Sequence, residues 1–298
     1  MGEQTDQAFA GYHPAVTFAF FIGAIVMGFF FVHPFFLCVS LFSSALYYRL
    51  LTGRKGARYL LGMTALFVCV SLINPFLNNL GDTVLFTYFG DRRFTLEALL
   101  YGASSGALFV SVLLWFACYN LVMTSDKFIY LFGRCIPSVS LLLSMVLRLV
   151  PSFKRKTIAI AGARKGVGKA PDSGEKRDKL RNSMDVLSVL TSWALEGAVV
   201  TADSMKSRGY GSGPRSHFSL FRFGRRDIAA LGALSLSLLF VIAGVARGGA
   251  GITFYPSVSL NAGIDTAVGA TGYALFLLLP SAVHLWEEAT WHILRSRI

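Results

Sequence analysis

Apolar positions in this chain gather into long unbroken runs instead of alternating with polar ones. Runs long enough to cross a bilayer as a helix, roughly 17 to 25 residues, lie near residues 15–32, 35–51, 59–77, 97–122, 227–246 and 266–285. Only His33 and Pro34 separate the first two, which predicts a tight helical hairpin. The next link carries Arg49, Arg54, Lys55 and Arg58, and the tendency of basic loops to remain in the cytoplasm puts it inside. Alternation from there places residues 78–94 outside and 124–127, the basic central stretch, Arg295 and Arg297 inside. Residues 128–149 are apolar enough to span, yet both ends belong on one side. This segment is expected to be buried against the other helices or to lie along the inner interface. Pro137 suits a first helical position and Pro151 removes an internal hydrogen bond, so a helix from near 138 is expected to kink or stop around 147–151.

Residues 183–206 follow a different period. Met184, Leu187, Leu190, Ala194, Ala198, Thr201 or Ala202, and Met205 recur at spacings of three and four, with polar residues mainly elsewhere, as on an amphipathic helix. Asn182 or Ser183 is the expected cap, and Ser207-Arg208-Gly209 the expected end, with Gly209 free to take the left-handed conformation. Taken alone, Arg208 complements the helix dipole and Gly209 terminates the helix. A second end repeats the pattern. The helix running past Pro151 through Lys154, Arg155 and Lys156 reaches Ala163-Arg164, followed by Lys165 and Gly166. Two ends that each combine a small residue, an arginine and a glycine predict two docking points, where a guanidinium can make paired hydrogen bonds to a partner's carboxylate or helix carbonyls. Gly102 and Gly106, a GxxxG pair, predict close helix packing.

Composition agrees with a membrane setting. Of 298 residues 54% are hydrophobic and 15% charged, against about 25% charged in soluble domains; mean hydropathy is +0.57. Soluble, disordered, collagen-like and nucleic-acid-binding classes are excluded. The net charge is +12, and seventeen basic against six acidic residues between Arg148 and Arg226 supply +11 of it. No Lys or Arg precedes Arg49, while Glu3 and Asp6 do, so the first apolar run is expected to be retained and not cleaved as a signal peptide. Cys38, Cys69, Cys118 and Cys135 are scattered without metal-ligand spacing and read as small buried hydrophobes.

Candidate chemistry is sparse. The segment from Gly162 to Ala170 looks like a phosphate-binding loop, but Ala163 stands where the first glycine is needed and Ala170 where Ser or Thr is needed. No nucleotide site, metal cluster, paired carboxylates or nucleophile arrangement emerges, so the chain is expected to be no enzyme and to hold no cofactor. The spans lack the ionisable clusters expected of an ion-coupled carrier. Phe218, Phe221 and Phe223 interleave with Arg222, Arg225 and Arg226 beside the fifth run, a pattern suited to anionic lipid at the inner leaflet.

The stretch Asp203-Ser204-Met205-Lys206-Ser207-Arg208-Gly209-Tyr210-Gly211-Ser212-Gly213-Pro214-Arg215 resembles the second Ala-Arg-Gly signature, with its trailing Gly-Pro-Arg, of the transmembrane T component of energy-coupling factor (ECF) transporters, with Ser207 replacing the usual Ala. These are bacterial and archaeal importers of vitamins and transition-metal ions. Arg148-Leu149-Val150-Pro151 is similar to the family's Arg-Phe-x-Pro segment, and Thr124-Ser125 to a Thr-rich turn before it. Ala163-Arg164 is similar to the first signature, though Lys165 stands where the family has Gly and a polar loop follows from 167 to 181.

The resemblance implies an all-α polytopic membrane protein with about six transmembrane helices and two cytoplasmic coupling helices. Its parts would be N-terminal transmembrane helices over 1–127, a coupling region over 128–226 and C-terminal transmembrane helices over 227–298. Two ABC-type ATPase subunits would dock on Ala163, Arg164, Gly166, Ser207, Arg208 and Gly209. A separate S-type membrane subunit would capture the vitamin or metal ion. Nucleic acid is not an expected partner; membrane lipids are. The expected location is the inner (plasma) membrane, with both termini cytoplasmic. The alternative is a self-contained channel or secondary carrier with a basic cytoplasmic loop.

Overall fold

A computed structural model describes residues 8–78, 81, 83–88, 92–133, 136–171, 174–213, 221–249, 251–254, 259–260 and 263–295. Nine α-helices occur among them: α1 (Pro14–Phe30), α2 (Pro34–Thr52), α3 (Ala57–Leu77), α4 (Leu96–Val122), α5 (Ser125–Gly133), α6 (Pro137–Gly166), α7 (Lys176–Ser207), α8 (Arg225–Ala246) and α9 (Ile264–Arg295). Two antiparallel ribbons accompany them, β1 (Val84–Tyr88) with β2 (Arg92–Thr95), and β3 (Ile252–Thr253) with β4 (Ser259–Leu260). The all-α expectation holds apart from these two short ribbons. Each of the six apolar runs is a helix. By length and composition, five stretches can cross a membrane: 34–77, which contains both α2 and α3, then α4, α7, α8 and α9. α1 is apolar but shorter, at 17 residues.

The chain divides into one compact unit of residues 1–128 and 221–298 and another of 129–220. The first unit is a helical bundle whose aromatic core joins α1, α2, α4 and α9. Phe20 stacks on Phe276 with ring centres 5.4 Å apart and meets Trp115 edge-on at 5.5 Å. Lipid tails are as apolar as these side chains, so close backbone approach and interhelical hydrogen bonds must hold the bundle. The sequence provides both. A Cβ on Gly102 would sit 2.5 Å from the Ser71 carbonyl oxygen, and one on Gly106 2.8 Å from Ser71 Oγ, so this pair seats α4 against α3. Gly244 and Gly269 do the same for α8 and α9. Ser43 Oγ donates to the Leu277 carbonyl at 2.8 Å, and Trp115 Nε1 to Ser40 Oγ at 3.3 Å.

Buried charges tie chain segments together. Asp227, 7% exposed, accepts from the His13 amide on Oδ1 and from the Gly224 amide on Oδ2, each at 2.8 Å. One carboxylate thus joins the starts of α1 and α8. Lys127 Nζ donates to the carbonyls of Ala10 at 2.6 Å and Val122 at 3.1 Å; its burial pushes the ammonium pKa below the ordinary lysine value. Glu97 accepts from the Thr83 amide at 3.2 Å and from the Thr83 hydroxyl.

Three expectations are corrected. Residues 128–149 divide into α5, which ends at Gly133, and α6, which begins at Pro137 as its proline predicts; no α6 residue is buried, which removes the buried alternative and leaves the interfacial one. Of the kink or stop expected near Pro151, the stop is corrected, because α6 continues to Gly166, as the run through Lys154, Arg155 and Lys156 to Arg164 requires. The cysteine reading holds only for Cys118. Cys38 and Cys69 are exposed on α2 and α3, and Cys135 lies outside the described residues.

Candidate coupling-helix tips

The second unit is dominated by α6 and α7. Pro137 at the first position starts α6, as its fixed φ favours. α7 begins at Lys176, capped by Glu175 backbone, so Asn182 and Ser183 are not its cap. Both lie inside the helix, where Ser183 Oγ bonds back to the Lys179 carbonyl and Asn182 Nδ2 reaches the Ala170 carbonyl at 3.1 Å. The first turns of α7 carry Lys176, Arg177, Lys179 and Arg181. These are good helix formers that leave no apolar period to detect.

Side-chain contacts between the two helices are seen at both ends of their overlap. Phe153 meets Trp193 edge-on at 5.7 Å, Lys156 Nζ lies 5.1 Å from the centre of that indole ring, and Arg164 Nη2 pairs with Asp185 Oδ2 at 2.6 Å. Moving from Phe153 to Arg164 along α6 corresponds to moving back from Trp193 to Asp185 along α7, so the helices are antiparallel. Their C-terminal tips therefore point apart. From Asp185, beside the α6 tip, to Ser207 is about 33 Å at 1.5 Å per residue.

Both tips close in the same way. At the end of α7, the Gly209 amide donates to the Lys206 carbonyl and the Tyr210 amide to the Met205 carbonyl, both at 3.0 Å, with Gly209 at φ +79°. At the end of α6, the Gly168 amide donates to Lys165 and the Lys169 amide to Arg164, again both at 3.0 Å, with Gly168 at φ +75°. Each is a Schellman motif, in which a left-handed glycine folds the chain back over the last orphan carbonyls. The left-handed Gly209 was expected from the sequence. At the other tip the closing residue is Gly168, while Gly166 is the last residue of the helix proper.

Cap position gives a register that the sequence could not. Val167 occupies the place of Arg208, Gly166 that of Ser207, and Lys165 that of Lys206. Arg164 lies three residues earlier than Arg208 does and is turned to Asp185, with 21% of its side chain exposed. Ala163, Gly166, Val167, Ser207, Arg208 and Gly209 are all exposed, and Arg208 has no ion-pair partner among the described residues. The missed residues are Asp185, Val167 and Gly168; a glycine two positions beyond Gly166 was the available signal. Pro214, Arg215 and Phe218 lie outside the described residues.

Residues 162–166, which mimic part of a phosphate loop, form the last turn of α6. That end presents carbonyl oxygens, the negative pole of the helix, and so the wrong one for phosphate. No group of three or more His, Cys, Asp or Glu among the described residues is placed to hold a metal. In the first unit, an apolar cleft of about 270 Å³ between α1 and α8, walled by Met27, Phe31, Val241 and Val245, offers no polar group to orient a polar substrate. No protein-family model matches the chain, and no curated protein does.

Proposed function

We propose that this chain is the membrane-embedded coupling subunit of an ECF-type ABC importer. It transmits motion from two cytoplasmic ATPases to a separate membrane subunit that captures a vitamin or transition-metal ion. The observation that carries the reading is the exposed Arg208-Gly209 tip at the Schellman end of α7, on a helix pair whose two capped ends point in opposite directions. A rigid pair with separated tips suits simultaneous engagement of two partners. The shared start of α1 and α8 at Asp227 fits a topology in which both helices leave the cytoplasmic face. Exposed apolar side chains on the pair, among them Leu142, Val146, Leu187 and Leu195, fit packing against the capture subunit.

A self-contained channel or carrier needs polar groups along a path between helices. The buried Lys127, Glu97 and Asp227 instead hold backbone groups at segment ends. The coupling reading is tested by Arg208→Glu. A desolvated docking arginine is worth about 2 to 5 kcal/mol of association, so the ATPase docked on Arg208 should no longer copurify and substrate uptake should cease. Retention of both ATPases with uptake intact rejects the proposal.

A further inference from the structure

The chain leaves the first unit after Phe128 and returns to it at Phe221, so residues 123–128 and 221–228 hold the two covalent crossings between the units. Both crossings are fastened to one short stretch ahead of α1. Lys127, 7% exposed, donates to the Ala10 carbonyl at 2.6 Å. Three residues further on, the His13 amide donates to Asp227 Oδ1 at 2.8 Å, and the His13 ring meets Phe223 edge-on at 5.1 Å. The stretch is itself anchored in the bundle, because Phe9 is buried and packs edge-on against Phe20 at 5.5 Å. No ion pair joins Lys127 to Asp227 among the described residues, so their link runs through the backbone from Ala10 to His13.

We infer that Ala10–His13 is a strap that makes the two crossings loosen and tighten together. If the first crossing opens while the strap stays put, the Lys127 ammonium and the Ala10 carbonyl are parted in a buried setting, where an unmade hydrogen bond is costly. The cheaper course is for Ala10 to follow Lys127. His13 lies at most about 10 Å along the same chain, so its amide is then drawn away from Asp227 and the second crossing opens as well. The reverse path runs from Asp227 through His13 to Lys127. Lys127 and Asp227 are thus positioning residues that act on each other through the strap. Under the coupling reading above, on which this consequence alone rests, motion arriving through α6 and motion arriving through α7 reach the bundle as one.

The test is amide hydrogen exchange on the full chain in mild detergent. It is read at the Met123 and Phe128 amides for the first crossing, bonded to the Tyr119 and Thr124 carbonyls, and at the Gly224, Asp227 and Ile228 amides for the second. Lys127→Met removes the cation at the first crossing. His13→Pro removes the amide donor at the second, at a φ of −57° that proline adopts. Each single variant should speed exchange at both crossings, by about fivefold or more at the distant one, the low end of coupling between sites. The double variant should add less than about twofold, because the strap is already open. Gly11→Ala, whose Cβ meets nothing within 4 Å, should match wild type. Effects confined to the substituted crossing, or effects that multiply in the double variant, show two independent fastenings and overturn the inference. Unchanged protection in the middle of α4 shows that the fold is intact; where one single variant loses it, the other decides. The wild type copurified with its ATPases gives an independent reading, since magnesium ATP with vanadate should change exchange at both crossings, and a change at one alone overturns the inference. No change at either, or no ATPase copurifying, counts against the coupling reading and leaves the strap to be decided by the variants.

Discussion

Gly244 near the end of α8 is the most exacting packing position in the bundle. A Cβ built there lies 2.5 Å from both Cα and N of Gly269 and 2.8 Å from the Asp265 carbonyl oxygen. All three are backbone atoms and cannot rotate away. Ordinary van der Waals contact begins near 3.4 Å, so Gly244→Ala forces α8 and α9 apart by roughly 0.9 Å, a gap that forfeits a quarter to a half of each contact it opens. The seam also includes Gly272, whose Cβ would lie 2.7 Å from Phe240 Cβ. The expected loss is about 1 to 3 kcal/mol, as for other overpacked cores. Gly232 on the same helix is the control, because nothing lies within 4 Å of a Cβ there. Gly232→Ala should gain up to about 1 kcal/mol of helix propensity. Each kcal/mol shifts the midpoint by roughly 2 to 4 °C in a chain of this size. Thermal unfolding of the detergent-solubilised protein, followed by tryptophan fluorescence, should therefore place Gly244→Ala several degrees below wild type and Gly232→Ala at or above it. Equal midpoints for the two variants would refute the packing argument.

Three further outcomes follow from specific contacts. Asp227→Ala strands the His13 and Gly224 amides, and an unpaired buried donor costs about 1 to 3 kcal/mol; the same thermal assay should report it, with protease sensitivity increasing first near residues 8–13. In a double-mutant cycle of Arg164→Gln and Asp185→Asn, the coupling energy should be only about 0.5 to 1 kcal/mol because both side chains are partly exposed, read from amide exchange along α7. Gly209→Val places a branched residue at φ +79°, where an L-residue loses roughly 1 to 2 kcal/mol; the last turn of α7 should lose amide protection while α8 keeps its own.

The helices were legible because long apolar runs admit few other structures. α1, α2, α3, α4 and α8 appear within a few residues of the runs that predict them, whereas α9 extends well past its run, to Arg295. Pro137 and Gly209 marked a start and an end through their backbone restrictions alone. Charged helical turns left no such mark, so the first turns of α7 went unseen and its cap was placed seven or eight residues late. Pro151 suggested a kink or an end, and the end did not occur, since α6 runs on to Gly166. Pairings between distant segments were also invisible. Nothing in the local sequence links His13 to Asp227, Ala10 to Lys127 or Arg164 to Asp185, because each depends on which helices become neighbours. The candidate tips were therefore found by composition, but their common register emerged only from cap geometry.

The central claim is that this chain works by engaging separate ATPases through its helix tips. The most direct measurement is the subunit composition of the wild-type chain isolated from native membranes in mild detergent, beside Arg208→Glu isolated in the same way. The account predicts nucleotide-binding ATPase chains and a second membrane protein with the wild type, and loss of an ATPase from Arg208→Glu. A wild-type chain that purifies without any ATPase and still transports substrate alone in vesicles would contradict it.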